Sequence, residues 1–189
     1  IIAGSVSVYG GFVGTETNIS QRDVDANNVL LDGDGAHRVL KITAGPTLLD
    51  GLIVTNGYGP NQPASGGGIH ADGVFSLTLN NCRIVENEPY LAHTRYGGGA
   101  YFKSATVAIT ECWFANPFVS TGDQRYRRGY GFYAENAEVT VTDCVFTNHR
   151  DTTTGYYNWG AAIHVSGGSL SVTDADFLDN KITQGNYNN

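Results

Sequence analysis

The sequence predicts an all-β solenoid, a parallel β-helix in which the chain coils and each turn of the coil forms one rung. Two observations predict it: a long-period repeat, and alternation of apolar and polar residues inside each copy. Each copy opens on a glycine-rich segment and closes shortly after a cysteine or alanine. The matching apolar positions, 32, 30, 32 and 31 residues apart, are Leu52, Ile84, Phe114, Phe146 and Phe177.

The strands are predicted by segments such as 76–80, 106–110, 138–142 and 169–173, where every second residue is apolar and several are β-branched. Such alternation is typical of strands with one buried face. Glycine is frequent, 25 of 189 residues, and no segment has helical spacing over three turns, which excludes helical repeats. A propeller blade needs about 40 to 45 residues. We therefore expect each strand to pair with its counterpart one rung away, about 4.8 Å along the axis.

The rung pattern at 66–87, Gly-Gly-Gly-Ile … Leu-Thr-Leu-x-x-Cys-x-Ile … Asn, resembles the right-handed parallel β-helix repeats of bacterial secreted and surface proteins. These include polymorphic outer-membrane-protein-like adhesins and polysaccharide-active enzymes. The segments 8–17 and 21–23 resemble the stretch before such rungs in Bacteroidetes-like extracellular proteins. The resemblance covers essentially the whole chain. It implies a secreted or cell-surface bacterial protein with a single-stranded right-handed β-helix, and leaves the activity open because lyases, hydrolases, adhesins and binding modules share this fold.

Charge and hydropathy restrict the partners. With 18 acidic and 11 basic residues the formal charge is -7, which argues against nucleic acid or an anionic membrane as partner. No apolar run approaches the roughly 18 residues of a membrane span. We expect residues 1–189 to form one β-helix domain, excised from a longer secreted protein with covalently linked catalytic or surface domains.

A cysteine recurs at the same place in three rungs, at Cys82, Cys112 and Cys144, and Ala175 continues the column. Equivalent residues on parallel rungs have parallel Cβ vectors, which do not suit a disulfide. There is no Cys-x-x-Cys pair that would indicate a metal site. The prediction is a column of buried, reduced thiols.

A second column consists of asparagines two to four residues after the apolar positions. Asparagine tolerates left-handed backbone and suits a corner of the rung, and stacked amides can hydrogen-bond along the axis. Its predicted members are Asn56, Asn87, Asn116, Asn148 and Asn180.

Four insertions follow this corner, at 57–65, 88–96, 117–128 and 149–159. Because they leave the same corner, we expect them side by side on one flank, where repeat proteins often bind their ligands. Trp159 and the run Arg125–Arg128 lie among them. Seven of the eleven tyrosines lie in or at the edge of these loops, namely Tyr58, Tyr90, Tyr96, Tyr126, Tyr130, Tyr156 and Tyr157.

Clustered rings with polar neighbours suit a glycan, because sugar rings have an apolar C–H face surrounded by hydroxyls. The alternative for any single ring is packing of its loop onto the coil, the role we expect for Trp113 and Tyr9. The candidate carbohydrate-binding residues are Tyr90, Tyr96, Tyr126, Arg127, Tyr130, Tyr156, Tyr157 and Trp159.

Signals for catalysis are weaker. Glycoside hydrolysis ordinarily needs a pair of carboxylates, whereas Glu88, Asp123 and Asp151 occur one to a loop. A lyase needs a base and a cationic group, and only the arginine-rich region 125–150, with His149, offers both. The segment 32–35 lacks the further ligands of a calcium loop and is interpreted as a tight turn. We expect no catalytic residue, no metal and no cofactor.

The leading hypothesis is a non-catalytic carbohydrate-binding module that holds an appended enzyme on a plant cell-wall polysaccharide such as xylan. The alternatives are a polysaccharide lyase or glycoside hydrolase of the β-helix type that uses the region 125–150, and an adhesin-like surface segment.

Overall fold

The computed structural model describes residues 1–59, 65–88, 94–116, 126–151 and 157–182. These residues form short parallel strands and one 3-10 helix, Ile19–Gln21. No helix in this part of the chain is long and apolar enough to cross a membrane. The predicted all-β solenoid is confirmed.

The strands follow the repeat. The first ten are β1 (Val6–Tyr9), β2 (Val29–Asp32), β3 (Leu40–Ile42), β4 (Thr47–Asp50), β5 (Leu52–Thr55), β6 (Ile69–Asp72), β7 (Leu77–Asn80), β8 (Arg83–Val85), β9 (Thr94–Tyr96) and β10 (Ala100–Lys103). The other ten are β11 (Thr106–Thr110), β12 (Trp113–Ala115), β13 (Tyr126–Arg128), β14 (Phe132–Thr142), β15 (Val145–Thr147), β16 (Arg150–Asp151), β17 (Tyr157–Trp159), β18 (Ile163–Thr173), β19 (Asp176–Leu178) and β20 (Lys181–Ile182).

Three parallel stacks enclose the core. The first contains β3, β6, β10 and the first halves of β14 and β18. The second contains β1, β4, β7, β11 and the second halves of β14 and β18, so these two long strands join both stacks into one sheet. The third contains β2, β5, β8, β12, β15 and β19. In each stack a strand pairs with its counterpart one repeat away, which explains the period of the sequence.

The predicted apolar column is right in the middle and wrong at both ends. Phe114 pairs with Ile84 on one side and Phe146 on the other, and all three are fully buried. The partner of Ile84 is Val54, because Leu52 lies two residues earlier in the same strand. Leu52 instead precedes the Ile53–Arg83 pair and stands level with the cysteines.

At the other end, Phe177 pairs with Phe146 and stacks on its ring at 5.1 Å. It is nonetheless 49 % exposed, because β19 is the outermost described strand of its stack. The expectation of a buried ring is therefore wrong here.

The cysteine column is confirmed. Cys82, Cys112 and Cys144 are free and at most 3 % exposed. Each thiol donates to a carbonyl two residues earlier, as Cys112 Sγ does to Thr110 O at 3.2 Å. The backbone N–H of Cys82 in turn donates to Cys112 Sγ at 3.4 Å, so the column carries weak hydrogen bonds along the axis.

Candidate functional site

The corner from which the loops leave is held by a ladder of side-chain hydrogen bonds. Asn87 Oδ1 accepts from the N–H of Gly57 at 2.8 Å, and Asn116 Oδ1 accepts from the N–H of Asn87 at 2.9 Å. Farther along, Asn180 Oδ1 accepts from the N–H of His149 at 3.1 Å. Each of these asparagine side chains thus supports the backbone of a neighbouring rung.

The asparagine column needs correction at two positions. Asn56 and Asn148 adopt left-handed backbone, with φ of 51° and 57°, and lie one residue before the ladder. Their ladder positions are taken by Gly57 and His149. The sequence pattern does not distinguish the ladder asparagines from the left-handed asparagines, because both lie within four residues of the apolar column.

Each loop returns to the first stack through a glycine with positive φ. Gly66, Gly97, Gly129 and Gly160 have φ between 56° and 65°. A Cβ at Gly97 would lie 1.9 Å from the carbonyl oxygen of Ala100, so a side chain is excluded there. Because the same turn recurs on every rung, the ends of the loops are stacked in register.

The ends of three loops form a separate parallel sheet, β9–β13–β17, which we call the loop sheet. Tyr126 pairs with Thr94 and Tyr157. The next position brings together Arg127, Arg95 and Asn158, and the third position brings together Arg128, Tyr96 and Trp159. The loop sheet therefore collects four candidates, Tyr126, Arg127, Tyr157 and Trp159, for which the structure describes the backbone alone, and a fifth, Tyr96.

A column of rings lies beside the loop sheet on the first stack. His70, Tyr101, Tyr133 and His164 occupy equivalent positions of successive strands. Their ring centroids are 5.0, 5.6 and 5.2 Å apart. The Tyr96 ring stacks on Tyr133 at 4.7 Å, so the loop sheet covers this column and leaves Tyr101 and Tyr133 buried.

Sequence reasoning missed this ring column, although its signal was present. Each of the four residues directly follows the apolar residue after the glycines, as in Ile69-His70 and Phe132-Tyr133. Aligning that single position over the repeats finds the column.

The remaining candidates differ in their placement. Tyr130 is 6 % exposed, so the expectation that its ring faces a ligand is wrong. Its carbonyl accepts from Asn116 Nδ2 at 2.8 Å, which ties the end of the loop to the corner. Tyr90 and Tyr156 lie outside the described residues.

Charged groups surround the rings. The Arg128 guanidinium lies 5.5 Å from the centroid of the Tyr96 ring, within the range of a cation–π contact. Arg38 donates to the carbonyls of Ser65 and Gly66 at 2.6 and 2.9 Å, and burial lowers its pKa to about 10. The Tyr101 hydroxyl donates to Glu135 Oε2 at 2.6 Å.

Burial decides which of these groups can exchange protons. It is the main reason that the pKa of His70 is lowered to about 4, with the positive charge of Arg38 adding to the effect. Burial and the Glu135 carboxylate raise the pKa of Tyr101 far above its usual range. Burial also lowers the pKa of His164. At neutral pH His70, Tyr101 and His164 are therefore uncharged.

Comparison with known proteins identifies the fold family. The family model for the right handed beta helix region matches residues 14–182. The chain belongs to the right-handed β-helix family. No curated protein and no solved structure matches it. The membership agrees with the parallel stacks, and it specifies the hand of this β-helix.

The loop sheet joins an aromatic ring, a guanidinium group and three in-register strands. His149, the histidine of the lyase hypothesis, is fully buried, and burial lowers its pKa to about 4. It therefore cannot reach a polymer at the surface. Among the described residues, no group of three or more His, Cys, Asp or Glu side chains could hold a metal ion.

Proposed function

We propose that this β-helix is a non-catalytic carbohydrate-binding module of a secreted or cell-surface bacterial protein. It holds a covalently linked catalytic or surface domain on a plant cell-wall polysaccharide of the xylan type. The polymer lies along the helix axis across the loop sheet. Tyr96, Tyr126, Tyr157 and Trp159 supply rings, and Arg127 and Arg128 supply hydrogen-bond donors.

The observation that carries the proposal is the register of the loop sheet. Tyr96, Arg128 and Trp159 are consecutive Cα partners on three rungs, as are Thr94, Tyr126 and Tyr157. Neighbouring rungs are about 4.8 Å apart, close to the roughly 5 Å between consecutive sugars of an extended chain. A stack of rungs can therefore offer one contact to each sugar.

Charge favours a mildly acidic xylan. Arg95 and Arg127 are Cα partners, and Arg128 follows at the next position. The paired Arg95 and Arg127 suit occasional carboxylate substituents, which arginine binds with two parallel hydrogen bonds, whereas Arg128 lies on the opposite face of the strand beside Tyr96. Affinity for such a xylan should fall with added salt, whereas affinity for an unsubstituted chain should not.

The test is retardation of the protein in native gels that contain xylan, glucan, pectin or mannan, beside an assay for released reducing ends and unsaturated products. We expect retardation by xylan without product. Tyr96→Ala and Trp159→Ala should each weaken binding about tenfold, equivalent to about 1.4 kcal/mol. The matched control is Tyr9→Ala, a tyrosine on β1 with its ring 5.4 Å from the Arg22 guanidinium.

Retardation by none of the four polysaccharides would refute the proposal. Product formation abolished by Arg127→Ala would favour a lyase or hydrolase. Equal retardation of wild type and Trp159→Ala would exclude the loop sheet as the binding surface.

A further inference from the structure

Trp113 lies on the outer face of β12 and is 45 % exposed, contrary to the packing role expected from the sequence. Its Cα partners are Arg83 on β8 and Val145 on β15, so it stands in the middle of the third stack. The chain has two tryptophans, and the other, Trp159, belongs to the loop sheet.

The Trp113 side chain borders a groove of about 220 Å³. Asn81, Glu111 and Asp143 line it from three successive turns between the second and third stacks. These turns are stacked by backbone hydrogen bonds, from Asn81 N–H to Thr110 O and from Glu111 N–H to Thr142 O, both at 3.1 Å. The groove thus runs along the axis, with an indole ring on one side and polar groups at one-rung intervals on the other.

The groove is acidic, unlike the loop sheet. Its charged lining groups are Asp25, Arg83, Glu111 and Asp143, and Arg83 contacts Asp25 with 3.6 Å between Nη2 and Oδ1. Glu111 and Asp143 are exposed and leave a negative surface beside the indole. Such a surface repels uronates, whereas carboxylates accept hydrogen bonds from sugar hydroxyls.

We propose that the Trp113 groove is a second saccharide-binding site, which takes a neutral oligosaccharide. One sugar ring stacks on the indole of Trp113, and its hydroxyls donate to the carboxylates of Glu111 and Asp143. This site goes beyond the proposed function, because it shares no residue with the loop sheet and either surface can bind without the other.

Glu111 offers a variant that separates binding from folding. It has φ of 52°, in a turn column whose other members are Gly51, Asn81, Asp143 and Asp174. Asparagine and aspartate adopt left-handed backbone more readily than other non-glycine residues. Glu111→Asn should therefore keep or raise the melting temperature while it removes the carboxylate from the groove.

The two tryptophans allow each surface to be read separately by fluorescence. In Trp159→Phe the emission comes from Trp113, and in Trp113→Phe it comes from Trp159. The probes are a neutral xylohexaose, a neutral cellohexaose and an anionic oligogalacturonate. For the Trp159→Phe protein we expect a saturable emission change with a neutral probe, protection from acrylamide quenching, and no response to oligogalacturonate.

Adding Glu111→Asn to the Trp159→Phe protein should weaken this response at least tenfold, whereas adding Tyr96→Ala should leave it unchanged. The proposal is overturned if neither neutral probe changes Trp113 emission up to millimolar concentration, or if Tyr96→Ala abolishes the change. It is also overturned if sedimentation shows a dimer that Trp113→Ala dissociates, because Trp113 would then be a contact between copies. Failure at Trp113 with a retained Trp159 response would leave the proposed function intact.

Discussion

His149 occupies a position of the corner ladder that is an asparagine on the other rungs, at Asn87, Asn116 and Asn180. It is fully buried, and neither ring nitrogen has a hydrogen-bond partner among the described residues. The ring occupies space left by Gly131, where a Cβ would lie 3.0 Å from His149 Nε2. Burial makes this imidazole much more stable uncharged than protonated and outweighs its weak interaction with the Phe114 backbone, which accounts for its lowered pKa.

His149 should make the protein acid-sensitive. Its pKa is about 4 in the folded protein, against about 6.5 in an unfolded chain, so the unfolded state binds more protons between these values. The free energy of unfolding is therefore unaffected by His149 above about pH 6.5. As the pH falls from there toward 4, protonation of the unfolded chain lowers it by about 3 kcal/mol. Urea unfolding at several pH values measures it.

His149→Asn should remove its own share of the acid-induced loss and leave the share of His70, whose pKa is also lowered to about 4, and the exposed His37→Asn serves as the control. If both variants lose stability with acid as the wild type does, the assignment to His149 is wrong.

The corner ladder is the element that couples the coil to the loops. Asn116 Oδ1 accepts from the N–H of Asn87, and Asn116 Nδ2 donates to the carbonyl of Tyr130, directly after the left-handed Gly129. The Asn116 side chain is therefore hydrogen-bonded both to a neighbouring rung and to the far end of the loop that begins directly after Asn116. Asn116 is 2 % exposed, so water cannot replace it.

Asn116→Ala should destabilise the protein by about 1 to 3 kcal/mol, because it leaves the buried N–H of Asn87 without its acceptor and removes one of the two hydrogen bonds to the Tyr130 carbonyl, the other coming from the Gly99 N–H. Glu138→Ala, at an exposed position of β14, should change stability by less than about 0.5 kcal/mol. Urea unfolding of both variants beside the wild type provides the comparison. A cost for Asn116→Ala no greater than that of Glu138→Ala would show that the ladder does not hold the corner.

For the whole molecule, burial decreases from the middle of the coil toward its last described rung. Phe114 is fully buried between two rungs, with its ring 4.9 Å from that of Phe146, whereas Phe177 is half exposed. Repeat proteins are stabilised by contacts between neighbouring units, so a central rung has twice the contacts of an outer one.

Phe114→Ala should therefore cost about 3 to 5 kcal/mol, the usual range for a buried phenylalanine, and Phe177→Ala about 1 kcal/mol. Thermal or urea unfolding measures both. Equal costs would mean that Phe177 is covered in solution.

The repeat and its alternation were sufficient to predict the stacks, because parallel pairing requires equivalent residues at equal intervals. The cysteine column follows from the same rule. Leu52 and Asn148 were misplaced, since a shift of one or two residues at a turn changes the register without changing the pattern. The ring column from His70 to His164 was visible in the repeat but was not recognised, because its outward-facing residues share no single chemical type.

The sequence alone determined on which side of the coil the candidate site lies. The corner, the four insertions after it and their aromatic residues follow from the positions at which the repeat lengthens. Only the tertiary structure decided which side chains are exposed. Tyr130 is buried because the loop end folds back against the ladder at Asn116, and Trp113 is exposed because none of the segments that the structure describes covers the outer face of β12. Exposure depends on contacts between segments that are distant in sequence, whereas periodicity and turn chemistry are properties of the local chain.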